Sequence, residues 1–252
     1  MIVFILVFSC LTCKHDAHDK TTEKSEQQKN VLWVWNRPSD LRFLDKNDFE
    51  FALLTKTLEF DESHVKVISR QSSVLVAEHA MVFPVIRLER IGISTRFSAN
   101  VTNELIDRIC ADVKNYPGAM KIQIDFDARM SEREWYKNLI KTIRNCLPID
   151  WSLSITTIAS WCYDKDWLES LSADEIVPMF FRMGRDSSHM RQEFHNFFSS
   201  FNDDRKYCPG ISLDEPLQIA SRTQKLYVFN PKPWDKESIA LLRSYLAYEK
   251  KD

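Results

Sequence analysis

Short apolar runs alternate with helix-like segments along the chain from residue 31 onward, and this alternation restricts the fold more than any other feature. Strands separated by helical segments of about 10–15 residues indicate βαβ units and a parallel sheet. The pattern predicts strands at 31–38, 82–89, 121–129, 151–160, 175–184, 210–216 and 225–231. Residues 51–70 add two extended pieces joined by a turn at 61–63, with no clear helix between them.

About eight strand candidates favour a closed barrel over an open sheet, so we expect an α/β fold of the (β/α) TIM-like barrel class. The missing helix within 51–70 predicts that the barrel is incomplete or irregular near its second strand. Helices are expected from an N-cap at Thr102 to Tyr116, after a capping box at 131–134, at 166–171, at 190–201 and at 234–248.

Residues 1–13 have the character of a signal peptide. The apolar run at 1–9 is too short to span a bilayer, which takes about 20 residues. It ends in VFSC, which resembles the lipobox at which Cys10 would receive a lipid, and Cys13 is the second candidate. No Lys or Arg precedes the run, which departs from the usual signal peptide; a buried N-terminal strand is the alternative.

Residues 14–30 contain one apolar residue, Ala17, and such a segment cannot bury enough surface to fold. An apolar leader, a cysteine, a polar tether and a single folded domain at 31–252 form the layout of a bacterial lipoprotein. We therefore expect an exported, membrane-anchored lipoprotein of the cell envelope. The membrane would be contacted through the lipid on Cys10 only, and the domain is expected to be a monomer.

Charge and glycine content argue against several kinds of site. The formal net charge of −2 gives no electrostatic case for nucleic acid. The four glycines are not spaced as in GxGxxG or a phosphate-binding loop, and no cofactor is expected. Outside the leader no cysteine pair has CxxC spacing, which argues against a thiolate zinc site.

Four cysteines lie in the folded part, and an oxidising compartment would allow disulfides among them. The sequence suggests a bridge between Cys162, after the fifth strand, and Cys208, before the seventh. The alternative is two independent buried thiols. Barrel geometry weighs against the bridge, because the two positions belong to opposite ends of their strands.

Polar side chains collect at the ends of the strands. Side chains alternate between the two faces of a strand, and a barrel strand packs one face on helices and points the other inward. Within 121–129 this alternation places one group of side chains outward, Ile122, Ile124 and Phe126. It places the other group inward, Gln123, Asp125 and Asp127. Asp125 and Asp127 lie near the C-terminal end of the strand, where barrel enzymes place their active sites.

Other strand ends supply further candidates. Asp214 and Glu215 join Asp125 and Asp127 as candidate catalytic residues. Because Asp214 and Glu215 are adjacent, only one of them can point inward. The candidate substrate-binding residues are Trp35, Asn36, Arg87, Glu89, Trp161, Arg182 and Asn230.

Two carboxylates at one strand end allow three interpretations. Glycosidic cleavage uses one acid to protonate the leaving oxygen and a second carboxylate as nucleophile, base or stabiliser. Alternatively, Asp125 and Asp127 form a buried ionic network with Arg87 and Arg182 that fixes the register, because buried charges need partners. A magnesium or calcium site built from the same oxygens is the third. The first interpretation is favoured, and no metal is expected.

Six segments occur in order between about Trp33 and Trp234. They are IQIDFDAR (122–129), SxRxWY (131–136), SITTIASWC (154–162), VPMFFRMG (177–184), GISLDEP (210–216) and YVFNPKPWD (227–235). In this order they resemble the bacterial family of uncharacterised proteins catalogued as domain of unknown function 3142. The resemblance implies a barrel related in architecture to glycoside hydrolases, usually in exported proteins, and it brings no established activity.

A more distant likeness is to the chitinase family, whose strand carries DxxDxDxE. Asp127 stands at the aspartate that orients the acetamido group of the substrate, and Arg129 stands where the family has its acid, a glutamate. Either another carboxylate, such as Glu89, Asp214 or Glu215, takes the place of that acid, or the domain is not catalytic.

Two functions are therefore carried forward. In the first, the domain hydrolyses a polysaccharide or peptidoglycan-like glycan with the strand-end carboxylates, and Trp35 and Trp161 supply platforms on which sugar rings stack. In the second, a non-catalytic surface lipoprotein binds a glycan or a protein partner through the same cleft. Arg129 favours the second function.

Overall fold

The predicted barrel is present in the computed structural model, which describes residues 29–116, 118–200, 206–217 and 225–248. The strands are β1 (Val31–Val34), β2 (Ser39–Asp40), β3 (Glu50–Phe60), β4 (Val65–Ser69), β5 (Val74–Leu75), β6 (Val82–Arg90), β7 (Lys121–Asp125), β8 (Ser152–Ile158), β9 (Glu175–Met179), β10 (Gly210–Ser212) and β11 (Tyr227–Phe229). Eight of them are parallel, in the order β1-β11-β10-β9-β8-β7-β6-β3, and β1 also pairs with β3 to close the ring.

Helices cover the outside of the barrel. They are α1 (Ala99–Asp112), α2 (Arg133–Cys146), α3 (Lys165–Glu169), α4 (Ser187–Ser200) and α5 (Lys236–Tyr248). The spacing of apolar residues explains α2, which buries Tyr136, Leu139, Ile140 and Ile143 on one face. None of the helices in the described ranges is both long and apolar enough to pass through a bilayer.

Two helix starts differ from the sequence prediction. Ser98, not Thr102, caps α1, because its hydroxyl accepts a hydrogen bond from the backbone N–H of Val101 at 3.2 Å. Before α2, the carboxylate of Glu132 accepts from the backbone N–H of Arg129 at 2.7 Å, so the box lies two residues earlier than predicted. Glu132 also pairs with Arg90 and is fully buried.

The irregularity expected near the second strand is confirmed. β4 folds back antiparallel on β3, so a hairpin stands where a regular barrel has a helix. Asp61 shapes its turn by accepting hydrogen bonds from the backbone N–H groups of Ser63 and His64 at 2.7 and 2.8 Å. β2 and β5 form a separate two-stranded parallel sheet.

A buried ion cluster fills the N-terminal end of the barrel. Glu175, at the start of β9, contacts the Nζ atoms of Lys121 at 2.7 Å and Lys225 at 3.4 Å and accepts from the hydroxyl of Tyr227. Lys225 also pairs with Glu50 at 2.8 Å. Burial alone would raise the pKa of Glu175, but the two lysines outweigh it and hold that pKa at about 2. The cluster ties β3, β7, β9 and β11 together.

A neutral polar layer lies among the apolar side chains above this cluster. Trp33 of β1 donates from Nε1 to the Gln123 carbonyl at 2.6 Å, and Gln123 donates to the Ser154 hydroxyl at 2.9 Å. Gln123 and Ser154 are fully buried, which confirms the inward face predicted for β7. The polar side chains of this layer are therefore hydrogen-bonded to side chains on neighbouring or facing strands.

Within the described residues, a disulfide links Cys110 near the end of α1 to Cys146 at the end of α2, with 6.2 Å between the Cα atoms. The bridge predicted between Cys162 and Cys208 is wrong, and both remain buried thiols. Cys162 follows β8 at the C-terminal end of the barrel, whereas Cys208 precedes β10 at the other end. A cross-link that closes a loop as long as the one between Cys110 and Cys146 stabilises a protein by about 4 kcal/mol on the chain-entropy model.

Candidate functional site

A cavity of about 530 Å³ opens at the C-terminal end of the barrel. This is the end at which barrel enzymes place their sites, and the volume suits a small ligand. Its lining consists of Trp33, Trp35, Arg87, Asp125, Asp127, Ile158, Ala159, Ser160, Met179, Phe181, Arg182, Met183, Met190 and Phe229. We call this cavity the cleft.

Asp125 is the firmly held carboxylate of the cleft. It is the last residue of β7, and its inward position brings it beside Arg87, its register partner on β6. Its Oδ2 lies 3.0 Å from Nη1 of Arg87, and its Oδ1 accepts from the Thr156 hydroxyl at 2.8 Å. The residue is 2% exposed, and both of its oxygens already have partners.

Asp127 lies beyond the end of β7, and its side chain is 53% exposed. The nearest cation, Nη2 of Arg87, is 3.8 Å away, which is a weak contact. Partial burial in the cleft raises the pKa of Asp127 above 3.8; the charge of Asp125 adds to this, Arg87 opposes it, and Glu89 adds a smaller upward effect. Asp127 is thus the cleft carboxyl that holds a proton more readily than an ordinary aspartate.

Asp214 and Glu215 do not line the cleft, contrary to the position expected for an opposing acid. Arg182 lies between them and the cavity, with Nη2 at 2.7 Å from Asp214 and Nη1 on Glu215. Arg191 of α4 also approaches Glu215, at 3.4 Å. Burial would raise the pKa of Asp214, but hydrogen bonds from Ser212 and Arg182 lower it. These carboxylates hold Arg182 in place.

Trp161 lies in the core and not in the cleft, which corrects its assignment as a sugar platform. β8 ends at Ile158, and Trp161 lies within the 3-10 helix Ala159–Tyr163 that follows it. Trp161 is 2% exposed and packs edge-on against Trp167 at 4.3 Å between ring centroids. The guanidinium of Arg133 lies 5.0 Å from its ring.

Three further candidates lie near the cleft without lining it. Asn230 is buried and accepts from the backbone N–H of Lys232 at 3.1 Å, so it shapes its own turn. Asn36 is exposed and meets the backbone N–H of Gln71 at 3.4 Å. Glu89 is exposed, and its carboxylate lies 3.7 Å from Nε of Arg87. Trp35, Arg87 and Arg182 do line the cavity, as expected.

Sequence reasoning missed the apolar side of the cleft. This side of the cleft is lined by Met179, Phe181 and Phe229. The alternation of side chains along β9 could have predicted two of these residues. Val177 is inside the barrel, so alternation along β9 places Met179 and Phe181 inward as well. Arg182 breaks that alternation because its backbone is left-handed, with φ 55°, which turns its side chain toward the rim.

Within the part of the chain that the structure describes, no cluster of three or more His, Cys, Asp or Glu side chains is arranged to hold a metal ion. Arg129, at the position of the chitinase acid, is exposed and does not line the cleft. The nearby Glu132 is committed to capping and to Arg90. Among the residues that the structure describes, Asp125 and Asp127 are therefore the carboxylates that line the cleft.

Of two similar solved structures, the first supports the barrel fold. The Bacillus cereus spore cortex-lytic enzyme SleL matches with a TM-score of 0.51 and 16% identity over 74% of this chain, and the match spans about half of SleL, 52%. An endo-beta-N-acetylglucosaminidase from Cordyceps militaris matches with a TM-score of 0.49 and 9% identity, over 90% of this chain and 92% of that one. At these identities the likeness concerns the fold alone.

No family model matches the sequence, and no curated protein matches it. The resemblance to the bacterial family named above therefore stays a prediction.

The two cleft aspartates should respond oppositely to replacement by asparagine. Asp125→Asn breaks a buried ion pair and should lower the free energy of unfolding by about 3 kcal/mol. Asp127→Asn should leave stability at pH 7 unchanged or higher. A carboxyl whose pKa is raised by folding stabilises the protein at low pH and loses that contribution as pH rises through the raised pKa. Urea denaturation at pH 7 measures both, and equal losses would contradict this division of roles.

Proposed function

We propose that this domain binds a glycan in the cleft and hydrolyses a glycosidic bond, with Asp127 as the proton donor. The observation that carries the proposal is the half-exposed Asp127 carboxyl with a raised pKa at the C-terminal mouth of a barrel. SleL, which shares the fold, is described as a spore cortex-lytic enzyme, and we extend glycan cleavage to this chain on that basis. A peptidoglycan-like glycan is the substrate class proposed.

The reaction follows from the positions of the two carboxyls. Asp127 gives its proton to the leaving oxygen, and the bond from the anomeric carbon to that oxygen breaks. A water molecule then adds to the carbon and gives one proton to the Asp127 carboxylate, which restores the acid. Asp125, fixed by Arg87 and Thr156, supplies negative charge beside the positive charge that develops on the sugar. Arg87 keeps Asp125 in place and limits how far the pKa of Asp127 rises.

A second function is favoured by a specific observation. Arg129 replaces the acid of the chitinase pattern, and Asp214 and Glu215 are engaged by Arg182. A barrel with this arrangement could retain the cleft and bind a glycan, or a protein partner, without cleaving it.

Glycan cleavage and binding should be measured separately on a panel of soluble polysaccharides and peptidoglycan fragments. We expect cleavage by the wild type that declines as pH rises through the raised pKa of Asp127, because the donor must be protonated. Asp127→Asn should reduce kcat by about 100-fold or more and change Kd little. Asp107→Asn, an exposed residue of α1, is the matched control and should behave as the wild type.

The panel also separates the two functions. Binding without cleavage by the wild type, over the whole pH range, would establish the non-catalytic function instead. Cleavage that survives Asp127→Asn would remove Asp127 from the proposed mechanism.

We also propose that the protein is exported and anchored through a lipid on Cys10. The apolar leader and polar tether support this, and so does the Cys110–Cys146 disulfide, because disulfides persist in oxidising compartments. In fractionated bacterial cells, the wild type should be in the membrane fraction with its leader removed. Cys10→Ala should be released, with Cys13→Ala as the matched control. Equal membrane retention of all three with an intact leader would contradict the anchor.

A further inference from the structure

The cleft has two unlike walls. Arg87, Asp125 and Asp127 come from β6 and β7 and the residues that follow them, and they form its charged side. The strand order places β10 and β11 across the barrel from β6 and β7. The facing wall, built from β9, β11 and β1 with the segments after β9 and β1, is apolar apart from Arg182. It consists of Trp35, Met179, Phe181, Met183 and Phe229.

The hydrogen-bonding capacity of the cleft is small for its size. Both oxygens of Asp125 are engaged, by Thr156 and Arg87. Each terminal nitrogen of Arg182 has one N–H engaged, by Glu215 or Asp214, and Ser160 adds one hydroxyl to the lining. A pyranose ring carries several hydroxyls, and each one buried without a partner costs free energy. The charged wall can therefore serve about one sugar, and the remaining volume suits a group that makes no hydrogen bonds.

The side chains of the apolar wall also fit such a group better than a second sugar. Phe181 and Phe229 stack on each other, with centroids 5.5 Å apart and an interplanar angle of 7°, so each has one ring face covered. Met179 and Met183 are only partly buried. Their flexible thioether side chains adapt to irregular apolar ligands and form at most weak hydrogen bonds with hydroxyls.

We propose that the cleft takes a glycan joined to an apolar group, an alkyl, acyl or aryl chain, with the sugar against Asp127 and the apolar group against the wall of Trp35, Met179, Phe181, Met183 and Phe229. This inference rests on the proposed glycan function, and it puts a glycan with an apolar substituent in place of the peptidoglycan-like glycan as the substrate. A ligand divided in this way matches the two walls, since the apolar group removes from water the side chains that cannot bind hydroxyls.

Calorimetric titration of matched ligands tests the proposal directly. The probes are methyl, butyl, hexyl and octyl β-glucosides and β-N-acetylglucosaminides, each below its micelle concentration, with 1-octanol as the probe that lacks a sugar. Kd should fall about two- to fourfold for each added methylene group until the wall is covered. 1-Octanol should bind more weakly than either octyl glycoside.

Variants at the apolar wall locate the effect. Met183→Gln keeps the length of the side chain and adds polar atoms, so the ratio of the methyl to the octyl Kd should drop about tenfold. Met183→Leu keeps the apolar character and should preserve that ratio. Met179→Gln and Met179→Leu repeat the comparison on β9, and melting temperatures confirm that each variant is folded.

Two results would overturn the inference in distinguishable ways. If glycosides bind but Kd is independent of alkyl length, the glycan function stands and the apolar group is excluded. If 1-octanol binds as tightly as the octyl glycosides and the methyl glycosides do not bind, the proposed glycan function fails, and the inference fails with it.

Discussion

Glu175 lies inside the barrel between two lysines. The closed ring of strands depends on this buried carboxylate having all of its partners. A carboxylate at this depth would be costly without partners. Lys121 and Lys225 supply the opposite charge, and Tyr227 adds a hydrogen bond. Because the partners come from alternating strands, each pairing also fixes the register of one strand against the others. Toward the C-terminal end of the barrel, Trp33, Gln123 and Ser154 form a neutral layer whose hydrogen bonds also join different strands.

The charged side chains are paired more closely at the N-terminal end of the barrel than at the C-terminal end. The candidate function depends on this difference. At the N-terminal end the charges pair at short distances. At the C-terminal end Arg87 is shared among Asp125, Asp127 and Glu89, at distances from 3.0 to 3.8 Å. One guanidinium cannot satisfy three carboxylates equally, and Asp127 receives the weakest of these contacts. Burial and the charge of Asp125 raise the pKa of Asp127, and the weak contact with Arg87 does not cancel this rise.

The sequence predicted what strand alternation controls. It placed Asp125 on the inward face, the hairpin at 51–70 and the barrel itself. It failed where the backbone leaves the regular strand. Trp161 lies within the 3-10 helix that follows β8, and its side chain packs in the core. Arg182 lines the cleft as expected, but its left-handed backbone and its ion pairs with Asp214 and Glu215 are not visible in the strand pattern. The Cys110–Cys146 bridge depends on how two helices pack, which the spacing of cysteines does not encode.

The central claim is that pairing divides the carboxyls inside this barrel, leaving Asp127 easier to protonate and Glu175 harder. Carbon-13 chemical shifts of the carboxyl groups, followed by NMR from neutral to acidic pH, measure both directly. The account predicts that Asp127 titrates above the ordinary 3.8 and that Glu175 stays ionised down to about pH 2. If Asp127 titrates at or below 3.8, Arg87 outweighs the effects of burial and of Asp125, and the cleft has no proton donor of the kind proposed.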